Sequence, residues 1–281
     1  MLERLKCPER RPMTMQRENA EKFRALHAPG GLLILPNAWD AASARAAEAA
    51  GAAAIATSSA AVAWCHGYPD GEALPAAILI AAVKEIVRVV NVPVSVDSEG
   101  GYSSDPAGAA SFVAALIDVG AAGINLEDGS APPDLLAAKI KAIKSGAKAK
   151  GADIFINARA DVYLRNLVSD DAKLAEAIRR GHLYRDAGAD GLFVPALNDL
   201  AGIREVARAV DLPLNSLVQK ALPPVATLKA AGVRRVSAGA GISRAAYGAA
   251  MRATKMLLDE GKYDAIFASS GDCPEFNRLF G

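Results

Sequence analysis

The sequence has little of several things that mark particular classes of protein. Only 5% of its 281 residues are aromatic, and its three cysteines, Cys7, Cys65 and Cys273, have neither metal-ligand spacing nor the even number of a disulfide framework. This usage is typical of a reducing compartment, so we expect a cytoplasmic protein. No stretch approaches the roughly 18 uninterrupted apolar residues of a membrane span, and no apolar signal core follows the charged residues 1–11. We therefore expect neither membrane association nor export.

An excess of charge of one sign is also missing. The 32 basic and 31 acidic residues give a formal net charge of +1. Nucleic-acid binding needs a basic surface, so we expect no nucleic-acid partner. The one lysine-rich stretch, Lys139 to Lys150, places its lysines among alanines, and we interpret it as the solvated face of a helix.

What the sequence does contain is a recurring unit of a helical run, a glycine and a short β-rich run. The glycine stands where a helix ends in the left-handed conformation. It occurs at Gly51, Gly120, Gly151, Gly188 and Gly232. At two further junctions a proline, Pro93 or Pro213, ends the helix and starts extended chain. Together with the first run, GLLILPNAWD, these junctions predict eight strands.

Each predicted strand is followed by a helical pattern, and strands that alternate with helices form parallel sheets. Eight such units close into a (β/α)8 TIM barrel, which is the α/β fold that we predict. We expect one domain over 1–281, with a lead-in helix at 13–27, the barrel at 31–242, and the eighth helix and tail at 243–281. The eighth helix is predicted as one run, Ser243 to Phe267. A doubly wound open sheet is the alternative, but no G-x-G-x-x-G motif opens a helix after the first strand.

In barrels of this kind the catalytic groups lie at the carboxyl ends of the strands, and here those ends are acidic. Asp97 and Glu99 end the third predicted strand, and Glu127 and Asp128 end the fourth. Four neighbouring carboxylates repel one another unless a cation holds them, and Mg²⁺ prefers such oxygen ligands. Asp97 and Glu99 alternate with Ser98, so both point to the same side. The pattern predicts a metal site, with helix caps or ion pairs to Arg159 as the alternative.

Two other strand ends carry groups suited to an anionic substrate. Arg159, after the fifth strand, can hold a carboxylate through two parallel hydrogen bonds. The alternative is an ion pair with Asp161 or Glu127. Ser58 and Ser59, after the second strand, offer hydroxyl and backbone N–H groups to an anionic oxygen, although serines there are also ordinary turn residues.

Six motifs in order, LPNAWDAASARAAEAAG, IATSS, YPDGE, VSVDSEGGY, INLEDG and NARAD, extend the evidence from single residues to most of the chain. From about Leu35 to the end of the eighth strand, the sequence resembles the isocitrate lyase/phosphoenolpyruvate mutase superfamily. That superfamily includes methylisocitrate lyase, phosphonopyruvate hydrolase and an oxaloacetate decarboxylase. The resemblance implies cleavage of a bond next to an α-keto or 2-hydroxy acid, through a metal-stabilised enolate, in a small carboxylate substrate.

The resemblance also implies roles for individual residues around a Mg²⁺ or Mn²⁺ ion. Asp97 corresponds to the principal metal-binding acid, and Glu99 and Glu127 to acids that hold metal-bound waters. Asp70 corresponds to a further acid near the metal and, with Arg159, to the catalytic residues. The substrate contacts are implied to be Thr57, Ser58, Ser59, Arg159 and Asn215. Family members are commonly homo-oligomers, dimers or tetramers, in which paired subunits exchange the eighth helix, and the alanine-rich segment 245–256 would allow close packing of that kind.

The loop after the fourth strand departs from the family pattern. Lyases of the family carry a Lys-Cys-Gly-His stretch there, whereas this chain reads EDGSAPP and then enters a helix, without Cys or His. Cys65 and His66 follow the second strand instead, and we interpret them as loop residues without a catalytic role. His182, inside a helix, we interpret as structural. The short loop weakens the case for isocitrate or methylisocitrate cleavage, because that step needs a base and an acid.

Four hypotheses follow from these patterns. The first is a Mg²⁺-dependent enzyme that cleaves a C–C bond in a small dicarboxylate. The second is a P–C bond enzyme, although the sixth strand ends in Val194-Pro195 and no polar gating loop is found. The third is a barrel that binds a keto acid without turnover. The fourth is a Schiff-base aldolase, whose only candidate lysine is Lys220, and we expect that lysine to be solvated.

Overall fold

The computed structural model describes residues 13–271 and 273–281, so the predictions for Cys7 and for residues 1–11 lie outside the described residues. Helices and strands alternate along the chain, as the sequence predicts. The helices are α1 Met13–Ala25, α2 Ala41–Ala49, α3 Ser59–Cys65, α4 Ala76–Val89, α5 Pro106–Asp118, α6 Pro133–Ala149, α7 Lys173–Asp186, α8 Leu200–Ala209, α9 Val225–Ala230, α10 Gly241–Glu260, α11 Asp264–Ser270 and α12 Phe276–Phe280. The strands are β1 Leu33–Leu35, β2 Asn37–Ala38, β3 Ile55–Thr57, β4 Val94–Asp97, β5 Gly123–Glu127, β6 Phe155–Arg159, β7 Gly191–Phe193, β8 Leu214–Leu217 and β9 Val233–Ser237.

These strands form one parallel sheet in the order β1-β9-β8-β7-β6-β5-β4-β3-β2. Its two ends are consecutive pieces of chain, separated only by Pro36, which has no N–H to donate. β1 pairs with β9 and β2 pairs with β3, so the two pieces act as one barrel strand that joins the ends of the sheet. The predicted (β/α)8 barrel is confirmed.

The left-handed helix ends predicted from glycine spacing are present. Backbone φ is +96° at Gly51, +102° at Gly120, +70° at Gly151, +103° at Gly188 and +97° at Gly232. Such angles are costly for residues with a Cβ. The glycines therefore set the point at which each helix stops and the next strand begins.

The lead-in helix α1 closes the amino-terminal end of the barrel. Its Phe23 is fully buried and meets Phe155 at the start of β6, with ring centroids 5.3 Å apart in an edge-to-face arrangement. The neighbouring β5 begins with Gly123, where a Cβ would lie 2.8 Å from the Phe23 ring. The interior is thus filled at this end, and the opposite, carboxyl end holds the polar strand ends.

Two predictions about helices need correction. The eighth helix is not continuous from Ser243 to Phe267, because α10 ends at Glu260, Gly261 follows in the left-handed conformation, and α11 begins at Asp264. The lysines of 139–150 do not all lie on a solvated face of α6. Lys139 is buried and donates to the carbonyl of Gly100 at 2.6 Å, whereas Lys144 pairs with Asp190 at 2.5 Å.

The remaining lysines of that stretch, Lys141, Lys148 and Lys150, are exposed as predicted. Among the residues that the structure describes, no helix combines the length and the hydropathy needed to cross a membrane.

Candidate active site at the carboxyl ends of the strands

Three neighbouring strands bring the predicted acids and Arg159 together. β4 ends at Asp97, β5 at Glu127 and β6 at Arg159, and the sheet register pairs Glu127 directly with Arg159. Glu99 follows β4 with φ of +48°, an uncommon conformation for a residue with a side chain. The turn at Glu99 keeps its carboxylate beside that of Asp97.

Asp97 is held from one side by the end of β3 and the start of α3. The Asp97 backbone N–H donates to Thr57 Oγ1 at 2.8 Å, and the Ser59 N–H donates to Asp97 Oδ2 at 3.0 Å. The other oxygen, Oδ1, is buried and has no hydrogen-bond partner among the described residues. A buried, unpaired carboxylate oxygen is costly, so this atom is poised for a ligand.

Glu99 lies in a strongly acidic environment. The Glu72 N–H donates to Glu99 Oε2 at 2.7 Å, and the Tyr102 hydroxyl donates to Oε1 at 3.4 Å. Burial and the negative charge of Asp97 raise the pKa of Glu99 to about 7, and Asp70 and Glu72 add to the increase. Asp70 itself is in the exposed loop after α3, close enough for its charge to reach Glu99.

Glu127 also lies among acids, although it forms an ion pair with Arg159. Its Oε2 lies 2.6 Å from Arg159 Nη1. Burial nevertheless raises the pKa of Glu127 to about 8, because Arg159 only partly offsets it and Asp161, Asp97 and Glu99 repel the charged form. The pKa values of two of the three predicted metal acids are thus raised by burial and by acidic neighbours, and a bound cation would offset that effect.

Arg159 is tightly bound by acids of its own chain. Its Nε and Nη2 donate to the two oxygens of Asp161 at 2.6 and 3.1 Å, and Nη1 pairs with Glu127. The guanidinium also lies over the Phe193 ring, 5.8 Å from its centroid. Facing carboxylates raise the pKa of Arg159 even though burial opposes them. The ion-pair alternative that the sequence left open is therefore the observed arrangement.

Asp128 has no oxygen left for a metal ion, because donors from its own chain occupy both of them. Its Oδ2 accepts from Arg180 Nη1 at 2.7 Å and from the Tyr184 hydroxyl at 2.5 Å, and its Oδ1 accepts from the Asp161 N–H at 2.9 Å. Both oxygens are occupied and fully buried. The expectation that four carboxylates share one cation is wrong for Asp128, because α7 supplies its counter-charge.

The remaining predicted substrate contacts occupy the same end of the barrel. The hydroxyl of Ser58 makes no capping hydrogen bond to α3, so it is available to a ligand. Asn215 is buried and exchanges hydrogen bonds with Ser237 at 3.2 and 3.3 Å. Thr57, as described above, bonds the Asp97 backbone and so positions the acid.

Three cationic residues near the site were not singled out from the sequence. Arg165 and Lys139 line a cavity of about 240 Å³ that also includes Glu99 and Glu127. Arg235 is fully buried in the barrel, and its Nη2 donates to Asn125 Oδ1 at 3.1 Å. Arg235 stands two residues before Ser237 on β9, so the period of two along a strand was the signal that would have identified it.

The structure gives no sign of a catalytic role for the cysteine, histidines and lysine to which the sequence assigned none. Cys65 ends α3, and burial raises the pKa of its thiol, which disfavours a reactive thiolate. His66 and Lys220 are exposed. His182 places Nε2 2.8 Å from the carbonyl oxygen of Ala209, which is a structural contact.

The metal acids fit a hard cation that keeps much of its water. No group of three or more His, Cys, Asp or Glu side chains is arranged to hold a metal ion in the described part of the chain. Mg²⁺, however, usually binds through only one or two carboxylates and retains several waters. Asp97, with one unpartnered oxygen, and the neighbouring carboxyl groups of Glu99 and Glu127 are compatible with that requirement.

Comparison of the sequence with known proteins identifies similar families and enzymes. The sequence model described as phosphoenolpyruvate phosphomutase matches residues 23–258. The 2-methylisocitrate lyase of Bacillus subtilis (strain 168) is 30% identical over 212 residues, which cover 71% of this chain and 67% of that protein.

Solved structures give two further similarities. A Burkholderia cenocepacia J2315 protein, assigned as a phosphonomutase, is 39% identical with a TM-score of 0.80 and covers 88% of this chain and 100% of its own. The structure of oxaloacetate acetylhydrolase with the inhibitor 3,3-difluorooxalacetate is 25% identical with a TM-score of 0.80, over 93% and 92% of the two chains. The names of these three similar proteins refer to different activities.

Proposed function

Because the chain belongs to the phosphoenolpyruvate phosphomutase family, within the isocitrate lyase/phosphoenolpyruvate mutase superfamily of lyases and mutases, we propose that it is a Mg²⁺-dependent C–C lyase. Its substrate would be a small dicarboxylate with an α-keto or 2-hydroxy group, cleaved through an enolate. The observation that carries this proposal is the buried, unpartnered Oδ1 of Asp97 beside the acids Glu99 and Glu127.

Asp97 would hold Mg²⁺ or Mn²⁺ directly, and Glu99 and Glu127 would hold it directly or through water. The ion would supply a Lewis acid that polarises the substrate's keto and carboxylate oxygens and favours the enolate. Thr57 and Ser59 fix Asp97 in place, which preorganises the site. Ser58 offers its hydroxyl to the substrate carboxylate, and Asn215 offers a further amide.

Arg159 would bind the substrate carboxylate by exchanging its contact with Glu127 while keeping its two hydrogen bonds to Asp161. That anchor holds the planar guanidinium in one orientation. Asp70 contributes an exposed carboxylate at the mouth of the site, where protons can be exchanged with solvent. The segment between Glu127 and α6 carries no other acid or base that is free for this task.

C–C cleavage is favoured over P–C cleavage by the charge of the site. A phosphonate carries more negative charge than a carboxylate and is usually bound by several cationic donors. Here the acids outnumber the cations around the cavity, and Lys139 is committed to the Gly100 carbonyl. The P–C alternative retains one argument, the 39% identity to a protein assigned as a phosphonomutase.

A substrate panel with Mg²⁺ tests this proposal. Oxaloacetate, methylisocitrate, isocitrate, substituted malates and phosphonopyruvate would be incubated with the protein, and pyruvate, carbon dioxide and phosphate would be measured. We expect a keto-acid product from a dicarboxylate, and no product when the metal is chelated. Phosphate release from phosphonopyruvate alone would favour the P–C alternative, and no product from any compound would favour a binding protein.

We also propose that the protein is a homo-oligomer in which two copies exchange α10. Ser243 is the single buried residue of this helix, so α10 hardly packs on its own barrel. On the barrel, the β1 residue Ile34 is 51% exposed although strand residues on this face are normally covered by a helix. A largely apolar cavity of about 900 Å³ lies over it, between α2 and Ile242 at the start of α10. A cytoplasmic location, expected from the cysteines, remains part of the proposal.

A further inference from the structure

The cavity at the carboxyl end contains one arginine whose donors are not all used. Arg165 lies in the loop after β6, and its side chain is 46% exposed. Its Nε donates to Asp161 Oδ2 at 3.0 Å, and its Nη2 lies 3.7 Å from Glu127 Oε1. Within the described part of the chain, the bond from Nε is the one hydrogen bond that this guanidinium makes. Arg165 therefore has N–H groups to offer at the mouth of the cavity.

Arg235 keeps two nitrogens without a partner among the described residues, but it is fully buried inside the barrel and does not line this cavity. The other two cations near the cavity are committed. Lys139 is buried against the Gly100 carbonyl, and Arg159 has all three of its nitrogens on carboxylates. Arg165 and Arg159 are fixed by the same residue, because Asp161 accepts from both guanidinium groups. The two arginines consequently flank Glu127 as a pair, one buried at the strand end and one facing solvent.

Arg165 lies against the loop after β5 at a glycine. Gly129 in this loop has φ of +54°, and a Cβ there would be 3.9 Å from the guanidinium of Arg165. Gly129 therefore brings only backbone close to that group, and the Arg165 side chain stays 46% exposed. A small ligand bound beside Glu99 and Glu127 would have Arg165 as the cation at its outer end.

We propose that Arg165 binds the distal acidic group of the substrate, the group farthest from the keto-acid end, and so selects diacids over monoacids. This inference rests on the proposed function of the site. The charges support it, because the cavity is rich in carboxylates and would repel a second acidic group unless a free cation met it. A guanidinium with unused N–H groups matches a carboxylate in geometry as well as in charge.

Calorimetric titration at saturating Mg²⁺ separates the two ends of the substrate. Oxalate would occupy only the keto-acid end, whereas malate carries an additional distal carboxylate. We expect Arg165→Gln to weaken malate binding by roughly 10- to 100-fold, as for a lost charged hydrogen bond, and to leave oxalate binding unchanged. Arg165→Lys should restore part of the malate affinity. Arg208→Gln, on the exposed surface of α8, is the matched control and should bind both ligands as the wild type does.

The outcomes distinguish this inference from the proposed function. Equal malate affinity in the wild type and Arg165→Gln, with oxalate bound by both, overturns the role of Arg165 and leaves the proposed function standing. An equal loss of both ligands also overturns it, since the effect would then not be confined to the distal group. If the wild type binds neither ligand with Mg²⁺, the proposed function fails and this inference with it. Phosphonopyruvate is the third ligand. If Arg165→Gln lowers its affinity more than that of malate, the distal group that Arg165 binds is a phosphonate.

Discussion

Arg159 and Glu127 are direct neighbours in the sheet register and form a 2.6 Å ion pair at the point where substrate is expected. The pair joins the predicted metal side of the site to its predicted substrate side. Asp161 holds the same guanidinium through two further hydrogen bonds, so the position of Glu127 depends on the planar shape of the arginine.

Arg159→Lys tests the importance of that shape. A lysine keeps the charge but cannot contact Asp161 and Glu127 through three nitrogens. We expect kcat/KM for the substrate found in the panel to fall by roughly 10²-fold, as for misplaced catalytic groups. Arg179→Lys, whose arginine pairs with Glu176 on the surface, serves as the control and should retain full activity. Unchanged kcat/KM in Arg159→Lys would contradict a role at the site.

The buried hydrogen bond from Tyr184 to Asp128 is expected to stabilise the folded protein. The tyrosine hydroxyl is one of three donors to this carboxylate, and α7 is fixed to the end of β5 through it. Tyr184→Phe should lower the free energy of unfolding by ~1.5–3 kcal/mol, the usual effect of losing a hydrogen bond to a charged group. Urea denaturation measures this change. A loss below about 0.5 kcal/mol, the range of ordinary surface substitutions, would show that Arg180 and the Asp161 N–H hold Asp128 without the tyrosine.

His27 makes stability depend on pH. Burial and the nearby charge of Arg235 lower the pKa of His27 from 6.5 to about 3, because the ring is packed against Phe155 at 4.3 Å. The unfolded chain therefore takes up a proton below pH 6.5 that the folded chain does not. Stability from this group is present above pH 6.5 and is lost as pH falls toward 3, by roughly 1.4 kcal/mol per pH unit. His27→Gln should show a shallower decline over that range in urea titrations at several pH values, and an identical slope would refute the assignment.

The exchange of α10 predicts a dependence of assembly on Ile34. Ile34→Asp places a charge on the uncovered outer face of β1, where a helix of the second copy would dock. We expect the variant to be a monomer in light scattering coupled to gel filtration, while the wild type is a dimer or tetramer. Val225→Asp, at an equally exposed apolar position on α9, is the control and should assemble normally. A monomeric wild type would remove the exchange from the proposal.

The order of strands and helices could be predicted because the signals are local. Each helix end at residues such as Gly51 and Gly120 depends only on the conformation of one residue and its neighbours. The same local reasoning placed Asp97, Glu99 and Glu127 at strand ends, where the structure has them. The prediction nevertheless made α10 and α11 one helix, because it did not identify Gly261 as the left-handed residue that ends α10.

The charge pairing could not be predicted, because it depends on side chains far apart in sequence. Asp128 is neutralised by Arg180, which is 52 residues away on α7. Lys139 looked solvated from its spacing, but the rotation of α6 turns it toward Gly100, 39 residues away. Arg165 escaped notice for the same reason, since its freedom depends on what the other cations have already bound.

Metal binding by Asp97 is the most direct measurement of the proposed chemistry. The wild type, Asp97→Ala and the surface control Asp118→Asn would be titrated with Mg²⁺ and Mn²⁺ by calorimetry, and turnover would be measured in parallel. We expect the wild type and the control to bind one ion, and Asp97→Ala to bind at least about 10-fold more weakly and to lose turnover. Full metal affinity in Asp97→Ala, or turnover that is intact and independent of metal, would contradict the proposal.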